Sequence, residues 1–158
     1  MKNFLLTLGL ICSISTNSNA QIDGGTMVSG GSAYFNTRIY DGFSSTSLQI
    51  QPQFGLALAD NFIAGAWFNI GTIGSISSWG VSPFVRYYMN NAFVELGYGY
   101  NQYDQVASSM FSAELGYAMF FNDYVALEPA IYYNHNFMDG PDPIDVGFKI
   151  GFQVYFNR

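Results

Sequence analysis

A chain of 158 residues is long enough for one domain with a core of its own. Only 10% of it is charged and 18% is aromatic, against about 25% charged in an ordinary soluble domain, so it carries too little charge to coat a water-facing surface. Eleven acidic residues outnumber five basic ones, which leaves no basic patch for nucleic acid, and no run of about 18 apolar residues offers a membrane helix.

Lys2 precedes an apolar run from Phe4 to Ile11, and a polar stretch follows as far as Ser18-Asn19-Ala20. This is the pattern of a secretory signal peptide and predicts Sec-type export with cleavage after Ala20, leaving a domain over 21–158. Cys12 is the chain's one cysteine. Ile11 before it is bulky where a lipoprotein site needs a small residue, so the exported domain is expected to have neither lipid anchor nor disulfide.

The rest of the chain alternates with a period of two, and helical periodicity is absent. A first strand is expected over 26–38, "TMVSGGSAYFNTR", its two faces blurred by Gly30 and Gly31. Asp41-Gly42 and the serines after them read as a loop. In the second strand Leu48, Ile50, Pro52, Phe54, Leu56 and Leu58 alternate with Gln49, Gln51, Gln53, Gly55 and Ala57. Ala59-Asp60-Asn61 turns the chain, and the third strand sets Phe62, Phe68 and Ile70 against Gly65, Trp67 and Asn69.

After a Gly/Ser loop, the fourth strand sets Trp79, Val81, Pro83, Val85 and Tyr87 against Gly80, Ser82, Phe84, Arg86 and Tyr88. Asn90-Asn91 is a turn. The fifth opposes Val94, Leu96, Tyr98 and Tyr100 to Phe93, Glu95, Gly97, Gly99 and Asn101, and a polar loop around Asp104 follows. The sixth, over 111–121, carries Glu114 on its small face and ends at Asn122-Asp123. The seventh sets Val125, Leu127, Pro129, Ile131 and Tyr133 against Ala126, Glu128, Ala130, Tyr132 and Asn134. "MDGPDPID" is a loop, and the eighth strand alternates Val146, Phe148, Ile150, Phe152, Val154 and Phe156 with Gly147, Lys149, Gly151, Gln153 and Tyr155.

The eight strands are thus joined by three short turns alternating with four longer loops. All three glutamates, with Arg86 and Lys149, lie mid-strand on the small, polar face, whereas every aspartate is assigned to a terminus, turn or loop. A face of Gly, Ala, Gln and a few charges suits a confined polar interior better than open water. The opposite face is almost unbroken Phe, Leu, Ile, Val and Tyr, which suits hydrocarbon, where strands must close on themselves to satisfy the backbone. Eleven residues at about 3.4 Å each, tilted about 40°, rise roughly 28 Å, the height of an outer-membrane slab. The fold expected is therefore all-β: an eight-stranded antiparallel up-and-down transmembrane barrel with a side-chain-filled polar lumen.

"GGSAYF" near the start, "PFVRYYM" before the second turn, "YVALEPAIYY" and the closing "VGFKIGFQVYF" resemble the small outer-membrane β-barrel proteins of the OmpA/OmpX-like kind. The resemblance implies a bacterial outer-membrane location, contact with outer-membrane lipid, and recognition by the barrel-assembly machinery through Phe152, Val154 and Phe156. The family's assembly signal usually ends on an aromatic residue; here Asn157 and Arg158 follow Phe156.

Within the lumen, a two-residue turn at Asn90-Asn91 pairs Met89 with Ala92 and so sets Arg86 opposite Glu95. Glu128 is expected at a similar height, with Glu114 and Lys149 nearer mid-barrel and Gln49, Gln51 and Gln53 sharing the hydrogen bonding. Such a cluster is read as structural pairing rather than a gate. His135, the only histidine, falls on the lipid side without a nearby serine in sequence and is read as an interfacial residue. Trp79, Tyr88, Tyr100 and Tyr133 are assigned to interfacial girdles. The acidic loop Asp139-Gly140-Pro141-Asp142-Pro143 lacks glutamate and does not read as a calcium site. No catalytic residue, metal site or cofactor is implied. The expected role is non-enzymatic, in envelope structure or in meeting an extracellular ligand through the loops; the alternatives are a narrow porin-like channel and a lipid-modifying enzyme.

Overall fold

The computed structural model describes residues 21–40, 43–73, 76–103, 106–137 and 144–158, with side chains over 21–33, 50–72, 77–102, 107–137 and 144–158. The predicted signal peptide, the side chain of Gln49 and the acidic loop 139–143 lie outside the described residues.

The strands are β1 (Met27–Tyr40), β2 (Phe43–Ala59), β3 (Phe62–Ile73), β4 (Ile76–Met89), β5 (Ala92–Tyr103), β6 (Val106–Tyr117), β7 (Met119–Phe120), β8 (Val125–Phe137) and β9 (Ile144–Phe156). Each pairs antiparallel with its neighbours, and β1 also pairs with β9 from Met27↔Phe156 to Ala33↔Ile150, which closes the sheet. β6 and β7 are one barrel strand interrupted at Ala118, so the barrel has eight strands. The register against β8 is the same on both sides of the break, Gly116↔Ala130 and Met119↔Leu127. Between them lies Pro129, which has no N–H to give the ladder. Ala118 is held from the other side: its N–H donates to the Asn91 carbonyl at 2.7 Å, and the Asn91 side chain donates to its carbonyl at 3.1 Å.

The turns follow from asparagine's tolerance of the left-handed region. Asn61 (φ 61°) and Asn90 (φ 57°) adopt it in the β2–β3 and β4–β5 turns. After β7 the Asn122 side chain accepts from the N–H groups of Tyr124 and Val125 at 2.8 and 2.9 Å, a local substitute for a backbone turn.

At the other end the strands run further than alternation predicts. β1 reaches Tyr40 and β2 starts at Phe43, so the serines read as loop belong to a strand. Likewise β3 reaches Ile73 and β4 starts at Ile76, while β5 reaches Tyr103 and β6 starts at Val106. The cause is physical: ladder bonds are made by the backbone, and they continue where Ser, Thr and Gln replace the apolar residues that make a strand visible. Asp145, read as loop, is likewise in β9, paired with Asn134.

Parity divides the wall in two. Ile50, Phe54, Leu58, Ile70, Val85, Leu115, Ile131, Phe148 and Phe152 are exposed on the outside. Trp67, Phe84, Arg86, Phe93, Glu95, Glu114, Glu128, Lys149 and Tyr155 are buried inside. β1, whose faces the sequence left open, sends Val28 inward and Met27 outward. Before β1, Ile22 is fully buried at the turn end, its N–H donating to Asn61 Oδ1 at 3.2 Å and its carbonyl accepting from the Asn61 N–H at 2.8 Å. After β9, Asn157 turns through φ 60°. Arg158 then stacks on Phe120, 3.9 Å from the ring centroid, and donates to the carbonyls of Gln21 and Asp123.

Candidate functional site

Reading inward from the turn end, the lumen changes character. Ile22, Ala57, Ile63, Phe93, Ala118 and Ala126 make an apolar floor. Above it stands an ionic layer. The β4–β5 turn pairs Met89 with Ala92, and the two strands climb in step, so Arg86 stands directly across from Glu95. The guanidinium holds Glu95 Oε2 through Nε at 2.8 Å and Nη2 at 2.7 Å, and reaches Glu128 Oε2 through Nη1 at 2.7 Å. It also lies 4.3 Å from the Phe93 ring centroid, close enough for a cation–π contact.

Glu128 is bound on both oxygens. Besides Arg86, the hydroxyls of Tyr155 and Tyr88 donate to its Oε1 at 2.5 and 3.0 Å, and those two hydroxyls are 2.7 Å from each other. Gln53 donates to Glu95 Oε2 at 3.0 Å and accepts from Gln153 at 2.9 Å, which carries the network round to β9. Higher up, Lys149 pairs with Glu114 and donates to Gln51 Oε1 at 3.4 Å. Gln51 in turn donates to Asn69 at 3.2 Å, and Asn69 to Asn101 at 2.9 Å. A chain of amides thus crosses from β2 to β5.

Glycine makes room for this filling. A Cβ on Gly116 would stand 2.3 Å from Phe93 Cζ, and one on Gly65 would stand 2.7 Å from Phe84 Cζ. Each ring lies over a backbone that has no side chain of its own, so the space a small barrel encloses is occupied by neighbouring rings and amides.

Of the residues singled out from sequence, Arg86, Glu95, Glu114, Glu128, Lys149, Gln51 and Gln53 all meet in the lumen, and Gln49 lies outside the described side chains. Phe152 and Phe156 are exposed on the outer face of β9, with Val154 half-buried beside them. Tyr88 corrects the girdle assignment. It is buried in the ionic layer because its parity, shared with Arg86, outweighs its place near a strand end. Trp79 and Tyr100 are exposed outside with ring centroids 6.0 Å apart. Tyr88 and Tyr155 as ligands of Glu128 were missed, although both sit on the polar face; an aromatic there is the signal that a hydroxyl has a buried partner.

His135 is half-buried across from Phe111, its ring 4.5 Å from that of Phe137. Among the described residues no group of three or more His, Cys, Asp or Glu side chains is placed to hold a metal ion.

No protein-family model and no curated protein matches the chain. Among solved structures it is similar to the outer membrane protein OprG from Pseudomonas aeruginosa, with a TM-score of 0.54 and 17% identity. The match covers 86% of this chain and 97% of that one, and at this identity the likeness is one of fold.

Proposed function

We propose that this chain is an integral bacterial outer-membrane β-barrel, exported with cleavage after Ala20, that serves a non-enzymatic role in the envelope. The observation that carries the reading is the pairing of two surfaces on one closed wall. Outside, large apolar side chains are exposed on each of the eight barrel strands, β6 and β7 counting as one: Ile150 is 49% exposed and Phe148 63%. Inside, Arg86, Glu95 and Glu128 are each 2% exposed or less, with the guanidinium bound to both carboxylates. Water cannot solvate the first surface cheaply, and a closed ladder is what hydrocarbon demands of a sheet. The likeness to small outer-membrane barrels and the fold shared with OprG agree with that setting.

A lumen filled by bound side chains supports a structural or surface-interaction role over a conducting one. On this reading the turns face the periplasm, outer-membrane lipid covers the belt, and Phe152, Val154 and Phe156 are the strand the assembly machinery recognises. Extracellular contacts fall to the loop end.

The test is membrane-extracted protein run on a gel with and without heating. A heat-dependent change in mobility is the expected result, and recovery as a soluble monomer without detergent would sink the proposal. Planar-bilayer recording of the same material should show no discrete conductance steps; steps would favour a channel. Loss of a lipid-modifying activity on changing His135 would favour an enzyme.

A further inference from the structure

Glu95 on β5 and Glu114 on β6 are paired directly across the ladder, and both are buried in the lumen. Side chains paired in this way have Cβ atoms about 4.5–5.5 Å apart, a position in which like charges repel. Each carboxylate has one oxygen held and one bare. Glu95 Oε2 accepts from Arg86 and Gln53, and Glu114 Oε1 is paired with Lys149. Glu95 Oε1 and Glu114 Oε2 are buried with no hydrogen-bond partner. A carboxylate oxygen left bare in a protein interior is costly, and here two of them belong to neighbouring residues.

The charges around the pair do not balance. β4 brings Arg86 and Tyr88, β8 brings Glu128 and Tyr132, and β9 brings Lys149 and Tyr155, with Asp145 further toward the loop end. The inward side chains described on β1, β2 and β3 are neutral, among them Ser32, Gln51, Gln53 and Asn69. Glu128 is already bound on both oxygens by Arg86, Tyr88 and Tyr155. Among the described side chains around the pair, therefore, Arg86 and Lys149 face Glu95, Glu114 and Glu128, and one negative charge is left over.

We infer that Glu95 and Glu114 hold one proton between them at neutral pH, the O–H of one carboxyl donating to the bare oxygen of the other. A single hydrogen placed there gives both orphan oxygens a partner and cancels the surplus charge. The inference rests on the filled lumen, and neither the membrane setting nor the conductance enters it.

Infrared spectroscopy of the folded chain in detergent tests this. A carboxylic acid in water ionises well below neutral pH, so at neutral pH the carbonyl stretch of a protonated carboxylic acid marks one held in its acid form by its surroundings. The band is expected in the parent and lost in both Glu95→Gln and Glu114→Gln, since either amide removes the surplus charge. A folded parent without the band, or a band that survives either substitution, overturns the proposal. Where a variant fails to fold, carbon-13 labelling of glutamate in the parent decides. The chain has only three glutamates, so the band must shift with the label, and an unshifted band overturns the assignment.

Discussion

Arg86 and Glu128 are 42 residues apart in the chain and 2.7 Å apart in the lumen. The contact reaches across the interior from β4 to β8, past β5 and the strand formed by β6 and β7, and requires the sheet to curl round on itself. Because the same guanidinium also holds Glu95, removing it strands two buried carboxylates at once.

Arg86→Ala is therefore expected to destabilise the barrel by about 3–5 kcal/mol. Urea unfolding in detergent, followed by the heat-sensitive gel band, measures it. A midpoint equal to the parent's would mean that the lumen pairing contributes nothing.

Tyr155→Phe removes a 2.5 Å hydrogen bond to Glu128 and is expected to cost about 1.5–3 kcal/mol, as is Tyr88→Phe. The two hydroxyls share one acceptor oxygen and touch each other at 2.7 Å, so the double variant should cost less than the sum. Strict additivity in the same unfolding assay would count against a shared network.

Gly116→Ala brings a Cβ to 2.3 Å from Phe93 Cζ and should cost about 1–3 kcal/mol by overpacking. Phe93→Leu in that background should recover part of the loss. If Gly116→Ala alone is neutral, the lumen is looser at this level than the ring's position indicates.

Ile150→Arg, midway along β9, should weaken folding into phospholipid vesicles by about 2–4 kcal/mol, and Val146→Arg, nearer the rim, by about 0–1 kcal/mol. Both side chains are exposed on the outer face. A barrel surrounded by water would show neither penalty, so the depth dependence itself checks the membrane setting.

Phe156→Ala should lower the yield of assembled barrel in cells while leaving unassisted folding in detergent close to the parent's. Equal losses in both settings would assign Phe156 to packing instead of recognition.

Much of this architecture is legible in one dimension, for a local reason. Successive side chains of a strand point to opposite faces, so the alternation of Phe148, Ile150 and Phe152 with Lys149, Gly151 and Gln153 assigns each its side before any partner is known. Register is legible where a turn is short. Asn90-Asn91 leaves no slack, and counting outward from it places Arg86 opposite Glu95, the pairing the structure holds. Strand ends at the loop side were not legible, because Ser44, Ser45 and Ser47 keep the backbone ladder without the apolar alternation that signals it.

The sequence by itself determined which face of each strand is apolar, the hairpin order and the neighbours across tight turns, all properties set within a few residues. The tertiary structure alone decided who meets across the lumen. Tyr88 and Tyr155 converge on Glu128, and Ile22 closes the turn end beneath them, because closing β1 against β9 fixes how far each strand is offset around the ring. That offset is a sum over every pairing in the barrel, and no single stretch of sequence carries it.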